Sequence, residues 1–346
     1  MTFLWYLEVA ASCLLTGVHL LLSPLLSGGV VKMLALELAG KPQYEETGSL
    51  PVFEPGLEGD KIHVLRTITG DAILLESDGH FALVDAGDDA ANPTGREDLA
   101  FAGTEYYVAD YIKRVAGGKL DFAVGTHAHN DHIGAMDEVL LDPAITCDTL
   151  YLKRYTDSDY SEKEQAWDND IIYDDLLNAA AARGIAVEQD IAELGTIQLG
   201  NFKIKFLNTG YWGTGALNDD SLGMLLTNRY GRKAFLAADI SGPAVITTPL
   251  EVGKVDFLKG GHHGRMDGNL LFCAALYRPK YVAFTHTQAG NYAEVDYYYT
   301  AVARSNVMYT GTFGGVVAVM GRSTACYAIN EYCSGAGGAE MDGVPG

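Results

Sequence analysis

The chain is poor in cysteine, with five in 346 residues, and none are spaced as the closely set thiolate pairs that structural zinc modules use. Positive charge is also scarce. Lys and Arg number 24 against 45 Asp and Glu, a formal net charge of -21 that repels polyanions. No Lys/Arg cluster of the kind nucleic-acid binders carry is present, which argues against DNA or RNA as a partner. Internal repeats and sustained heptads are missing too, so solenoid and coiled-coil architectures are excluded. Residues 9–31 contain no Asp, Glu, Lys or Arg, and that run is long enough for a bilayer, which takes about 20 residues. Because no Lys or Arg precedes Lys32, the basic flank of a secretory signal is absent.

What is present is a folded chain. Apolar residues make up 48% and charged residues 20%, which supports one large domain or two small ones. Residues 1–40 read as a hydrophobic N-terminal segment able to anchor the protein in a membrane through residues 9–31. An atypical signal, a buried helix, or a start at Met33 that leaves the protein cytoplasmic are the competing readings. Residues 41–60, with three prolines and three glycines, read as a linker. From Lys61 onward, apolar strand-like runs alternate with helix-like stretches such as Glu105 to Val115 and Glu162 to Arg183, the pattern of a layered α/β fold. Cys326 and Cys333 stand near a Gly-rich tail, residues 323–346, and would pair if the domain were exported. The acidic, aromatic stretch Asp157 to Asp175 reads either as a lid or as an ordinary solvated helix face.

The densest chemistry lies at Thr126-His127-Ala128-His129-Asn130-Asp131-His132, where three imidazoles and a carboxylate fall within six positions. The apolar run Asp121 to Gly125 before it is strand-like, and Ile133 onward is helix-like, so the cluster sits on a strand-to-helix turn. Such a turn aims His127 and His129 at one ion and Asp131 and His132 at a second, because alternate residues of an extended segment face opposite sides. Two ions roughly 3.5–4 Å apart form a dinuclear hydrolytic centre.

His127-x-His129-x-Asp131-His132 resembles the signature of the metallo-β-lactamase superfamily. Further elements follow in matching order. Gly70 to Ser77 and Phe81 to Gly87 resemble two opening strands ending in Asp85-Ala86-Gly87. Asn218-Asp219-Asp220-Ser221-Leu222, then Ala234 to Asp239, then Val255 to Gly264 with its Gly261-His262-His263-Gly264, resemble elements of one branch. That branch includes the hydrolase domain of competence-type DNA-uptake proteins and is similar to teichoic acid phosphorylcholine esterases.

The resemblance implies a four-layer αββα sandwich over residues 61–322. It also implies two divalent ions, zinc ahead of manganese, with His127 and His129 on the first ion and Asp131, His132 and one of His262 or His263 on the second. Asp239 would bridge. His262 is the favoured ligand, as the first residue past the strand and its Gly-Gly turn, leaving His263 to face substrate. His286, at the end of the apolar run Tyr281 to Thr285, is the candidate proton donor, and Asp131 and His263 complete the catalytic set. The implied activity is hydrolysis by a metal-bound hydroxide of a small-molecule or cell-envelope ester, with a phosphodiester or phosphorylcholine-type substrate foremost, in a membrane-anchored or extracytoplasmic protein. The ligand set equally serves a lactonase or β-lactamase. Tyr211-Trp212 and Tyr297 to Tyr299 offer an aromatic wall for a quaternary ammonium, or simply core.

Two departures stand out. No histidine occurs between His132 and Asp239, where many members supply a third to the first ion. Asp239 with water, or a carboxylate such as Asp219, would then complete that shell, or the chain is a membrane-tethered binding or sensory module with a degenerate first site. Arg66 to Asp71 also departs from the branch's glycine-rich turn.

Overall fold

A computed structural model describes residues 49–67, 70–90, 103–286 and 293–331. The hydrophobic segment at residues 9–31, Met33 and Cys333 lie outside the described residues. Among those that are described, no helix is long and apolar enough to cross a membrane.

Among the described residues, fifteen strands form two sheets. The first contains β1 (Asp60–Val64), β2 (Ala72–Ser77), β3 (His80–Ala86), β4 (Lys119–Gly125), β5 (Thr146–Leu152) and β6 (Ala186–Glu188), with β14 (Val316–Met320) and β15 (Thr324–Ala328) added beside β1. The second runs in chain order from β7 (Thr196–Leu199) through β8 (Phe202–Leu207), β9 (Gly223–Thr227), β10 (Lys233–Leu236), β11 (Phe257–Lys259) and β12 (Tyr281–Phe284) to β13 (Asn306–Tyr309). Each sheet opens with antiparallel strands and closes with parallel ones: β3 to β6 in the first, β10 to β13 in the second. Parallel strands need covered faces, and their crossovers supply the covering helices.

The two-residue period of the strands sorts their side chains into layers. Ile62, Val64, Ile73, Leu75, Ala82 and Val84 face inward and meet Ile204, Met224, Leu226, Ala234, Leu236 and Phe257 of the second sheet. The intervening Leu74, Leu83 and Ala123 face outward onto Val108 and Ile112 of the helix Glu105–Ala116 and onto Leu176 and Ala180 of the helix Asn169–Arg183. On the far side, Phe235, Leu258 and Val282 pack under Ala244 and Val245 of the helix Ala244–Val252 and under Cys273 and Ala274 of the helix Leu271–Tyr277. The result is the four-layer αββα sandwich. The helix Glu105–Ala116 carries Glu105 in its first turn and Lys113 and Arg114 in its last, complementing the helix dipole, and ends at a left-handed Gly117.

Two boundaries differ from the sequence reading. Thr324–Ala328, assigned there to the tail, is an edge strand whose five residues all pair with β14, and its Cys326 is buried. The end of the linker also docks: Phe53 N donates to Ala328 O at 2.7 Å, and Ala328 N to Pro51 O at 2.9 Å. Both corrections have one cause. An uncapped β14 would leave a row of backbone groups without partners; β15 covers it, and residues 51–53 in turn bond to Ala328 at the end of β15.

Leu74 is fully buried between the first sheet and its helices. Leu74→Ala is expected to cost about 2–5 kcal/mol by urea unfolding, as a lost side chain plus a residual cavity.

Candidate metal centre

The functional edge is where parallel strands of both sheets end. β3 ends at Asp85 and Ala86, β4 leads into Thr126 and His127, β10 leads to Asp239, β11 leads to His262 and His263, and β12 leads to Thr285 and His286. Sheet periodicity makes strands, but the loops after them are held in unusual conformations. Asp85, Ala238, His262 and His263 all have positive φ, at 53°, 44°, 42° and 52°. Non-glycine residues in this region store strain that the surroundings must hold, and such residues cluster at functional sites.

The His-rich turn does not stay extended. A short helix begins at Asn130, with Ile133 N donating to His129 O at 3.0 Å, so His132 swings back beside His127 with ring centroids 4.1 Å apart. The turn is bolted to both sheets: Asp71 N donates to Asp131 O at 3.0 Å, Ala135 N to Gly87 O at 3.0 Å, and Leu222 N to Thr126 O at 3.0 Å. Gly70 makes the first of these possible. Its φ is +130°, and a Cβ there would stand 2.3 Å from Asp131 O.

One ligand atom each of Asp131, His132, Asp239 and His263 lies within 4.8 Å of every other, a set able to hold one ion. His132 Nε2 is 3.2 Å from Asp239 Oδ1, while His263 Nε2 is 3.3 Å from Asp239 Oδ2 and 3.1 Å from Asp131 Oδ2. His132 Nε2, Asp239 Oδ1 and His263 Nε2 are buried without a hydrogen-bond partner. Leaving three such atoms unpaired is costly unless something they can bind sits among them, so the residues fit a divalent cation. His262 lies just outside this set, with Nε2 at 3.6 Å from Asp239 Oδ2. The sequence reading favoured His262 over His263 here; the reversed order follows from the left-handed turn, which points the two rings in different directions. His127 and His129 form a second group, Nε2 and Nδ1 respectively approaching to 3.0 Å.

Every one of these imidazoles is gripped on its other nitrogen. His132 Nδ1 donates to Asp85 at 2.8 Å, and Asp85 also accepts from Thr126 N at 2.9 Å and Thr126 Oγ1 at 2.7 Å. His263 Nδ1 meets Thr285 Oγ1 at 2.9 Å, and Thr285 donates on to Asp71 at 2.7 Å. His129 Nε2 donates to Glu164 at 2.7 Å, and His262 Nδ1 to Asp267 at 2.9 Å. Partners of this kind fix the tautomer and aim the free nitrogen inward, the usual outer shell of a metal site. Asp71 in turn pairs with the fully buried Lys259, whose ammonium donates to Ala238 O at 3.1 Å.

The electrostatics reflect this packing. Burial opposes the charged form of His132, yet the carboxylates of Asp239, Asp131 and Asp85 hold it well above the usual imidazole range. Burial likewise works against an ionised Asp239, and the surrounding His263, His132 and His262 hold it well below the usual carboxylate range. Burial pushes His127 well below, and the nearby His132 and His129 push the same way. Asp88, buried beside the site with Asn130 Nδ2 donating to it at 3.3 Å, is raised by burial and then by Asp131.

The structure thus brings together His127, His129, Asp131, His132, Asp239, His262 and His263. It places Asp219 elsewhere, accepting from Ser241 Oγ at 2.7 Å. His286 follows β12, with its carbonyl accepting from Gly311 N at 2.9 Å. The stretch read as lid or solvated face reaches the site through Glu164. Asp71, Lys259, Thr285 and Glu164, which act only through partners distant in the chain, and Asp267, which holds the nearby His262, carry no local sequence signature.

Residues 66–146 match the family model of the metallo-beta-lactamase superfamily. That stretch, under a quarter of the chain, is similar to the superfamily and lies within the two-sheet architecture described above. No curated protein matches it. Similar solved structures include a metallo-β-lactamase HARLDQ-motif mutant from Cronobacter sakazakii (14% identity, TM-score 0.32, covering 51% of this chain and 58% of that one). A CmlA β-hydroxylase variant is similar at 15% identity and TM-score 0.45, over 74% of this chain and 53% of that one. Human tRNase Z, short form, is similar at 13% identity and TM-score 0.39, over 66% of this chain and 92% of that one. The chain therefore spans well under two thirds of the first two.

Two outcomes are expected. Gly70→Ala should push the Asp131 turn away from β2 and weaken metal uptake, read as fewer metal equivalents per chain by elemental analysis. Lys259→Met, which leaves Asp71 buried without its cation, should cost about 3–5 kcal/mol in the unfolding free energy of metal-free protein.

Proposed function

We propose that the protein is a metal-dependent hydrolase acting on a phosphoester, of phosphodiester or phosphorylcholine type, in a small molecule or a cell-envelope polymer. The observation that carries the hydrolase reading is the convergence of Asp131, His132, Asp239 and His263, three of them presenting buried atoms without a hydrogen-bond partner. A divalent ion in such a site lowers the pKa of water from about 15.7 towards about 7 and polarises the oxygen that gains charge. Around it, the chain's own groups do the rest. Asp131 and Asp239 accept protons or positive charge, Asp85 and Thr285 lock the orientation of His132 and His263, and the buried Lys259 balances Asp71.

The phosphoester assignment rests on the Asn218 to Leu222 and Gly261 to Gly264 elements and their resemblance to the esterase branch. The net charge of -21 favours a small or neutral-bodied ester over a nucleic acid. Zinc suits the imidazole-rich donor set better than manganese. Attachment at a membrane through residues 9–31, on the outer side, belongs to the same proposal.

Metal content and hydrolysis of bis-p-nitrophenyl phosphate, p-nitrophenyl phosphorylcholine, a chromogenic cephalosporin and a lactone, measured in parallel, test this reading. Phosphoester turnover is expected to exceed the other two classes, and Asp239→Ala should lose metal and turnover together. Metal-replete protein inert on all four substrates would instead favour a binding or sensory module.

A further inference from the structure

A narrow cleft beside the metal centre is lined by His127, Ala128, Lys153, Tyr155, Tyr160 and Asp220. Two loops frame it, residues 153–161 after β5 and residues 208–222 between β8 and β9, and they are tied together where Ser161 N donates to Gly215 O at 3.0 Å. These loops carry four aromatic rings, each with its polar atom engaged. Tyr155 Oη donates to Asp157 at 2.8 Å, Tyr160 Oη to Asp220 at 3.2 Å, Tyr211 Oη to Arg154 O at 2.7 Å and Trp212 Nε1 to Asn208 Oδ1 at 2.8 Å. The Tyr155 and Tyr160 rings stack, with centroids 5.1 Å apart and planes 9° from parallel. Tyr211 and Trp212 nevertheless remain 55% and 41% exposed. Rings held in place by their polar ends, yet left in water, form a preorganised apolar surface at the mouth of a cleft.

Charge decides what this surface can take. The buried Lys153 donates its three ammonium hydrogens to Asn208 O, Gly210 O and Asp220 O at 3.1, 2.5 and 2.6 Å. None is left for a phosphate or carboxylate. The same ammonium stands 4.4 Å from the centroid of the Tyr211 ring, so a quaternary ammonium brought to that ring would meet a like charge. Arg154 turns its guanidinium to Gln189 and Asp190, at 3.1 Å each. With anions and cations both disfavoured, an uncharged group is the one that fits.

We propose that this cleft binds an uncharged carbohydrate ring of the substrate, with Tyr211 and Trp212 as its stacking platform. A pyranose presents a face of C–H groups to the negative face of an aromatic ring and keeps its hydroxyls at the edge. The carboxylates of Asp157 and Asp220, which already accept from Tyr155 and Tyr160, have further lone pairs for such hydroxyls. Asp220 also accepts from Trp212 N at 2.7 Å, which holds the platform against the cleft. The proposal rests on the hydrolase reading for the meaning of the neighbouring His127 and adds which part of the ester this wall recognises.

The test is saturation-transfer NMR on the full chain, with the methyl glycosides of glucose, galactose and N-acetylglucosamine as probes and phenol, hexanol and choline as separate comparisons. Saturation is expected to reach the ring protons of at least one glycoside, in metal-replete and EDTA-treated protein alike. It should be lost in Tyr211→Ala and in Trp212→Ala. Tyr211→Phe, which keeps the ring, should retain it, as should Tyr106→Ala, which removes an exposed aromatic from the helix Glu105–Ala116. Transfer to phenol, hexanol or choline with none to any glycoside would overturn the proposal, as would glycoside transfer that survives both alanine variants. The bound glycoside is also expected to inhibit turnover of bis-p-nitrophenyl phosphate competitively; turnover indifferent to a bound glycoside would overturn its assignment to the substrate. Protein inert on every phosphoester fails the proposed hydrolysis, while the NMR probes still decide the cleft.

Discussion

The ion pair of Asp71 with Lys259 is the constraint on which the functional edge depends. Asp71 enters β2 in the first sheet and Lys259 ends β11 in the second, so the pair spans the interface between sheets at the point where the ligands gather. Both are almost wholly buried. Burying two charges is expensive, and attraction offsets that cost only when the remaining donors and acceptors are also satisfied. They are: Lys259 also donates to Ala238 O, and Asp71 also accepts from Thr285. Each of those partners touches a ligand, since Ala238 precedes Asp239 and Thr285 holds His263. One electrostatic contact therefore sets the positions of a carboxylate and an imidazole contributed by different strands.

Strain is distributed around that anchor. Asp85, Ala238, His262 and His263 occupy left-handed backbone conformations without being glycine. Each such residue costs on the order of 1–3 kcal/mol and persists only where its surroundings over-determine it. The two sheets provide that determination, because the strands leading into these residues are locked by paired registers and by a core filled from both faces. A rigid sandwich thus holds irregular loops at one edge.

Sequence reading reached the elements with local signatures. The strands around Ile73, Val84, Val124 and Phe235 were legible because buried strands read as continuous apolar runs, and the helix at Glu105 because its charges and closing glycine follow the dipole and capping rules. His127, His129, Asp131 and His132 were legible because one short turn holds them all. Which of His262 and His263 stands beside Asp131, His132 and Asp239 was not, since it depends on two φ angles that composition does not encode. Lys259 and Thr285 were hidden for a different reason. Each looks like an ordinary strand-end residue until Asp71, far away in sequence, is placed beside it. The edge strand Thr324–Ala328 was obscured by its short length beside a Gly-rich tail.

Charge balance links the fold to the ion. Asp71, Asp85, Asp88 and Asp239 are buried within one small region, and Lys259 is the buried lysine that faces them. A low-dielectric interior does not tolerate such an excess of negative charge unless cations are drawn in or protons are retained. The carboxylates raise His132 and His263 well above the usual imidazole range, and burial together with Asp131 raises Asp88 well above the usual carboxylate range. Metal ligands must be deprotonated, so ion and protons are alternative occupants of the same electrostatic well. The acidity that makes the apo site strained is the same property that gives it affinity for a divalent cation. The outward nitrogens of His132 and His263 are tied to Asp85 and Thr285, which leaves their inward nitrogens aimed at that well.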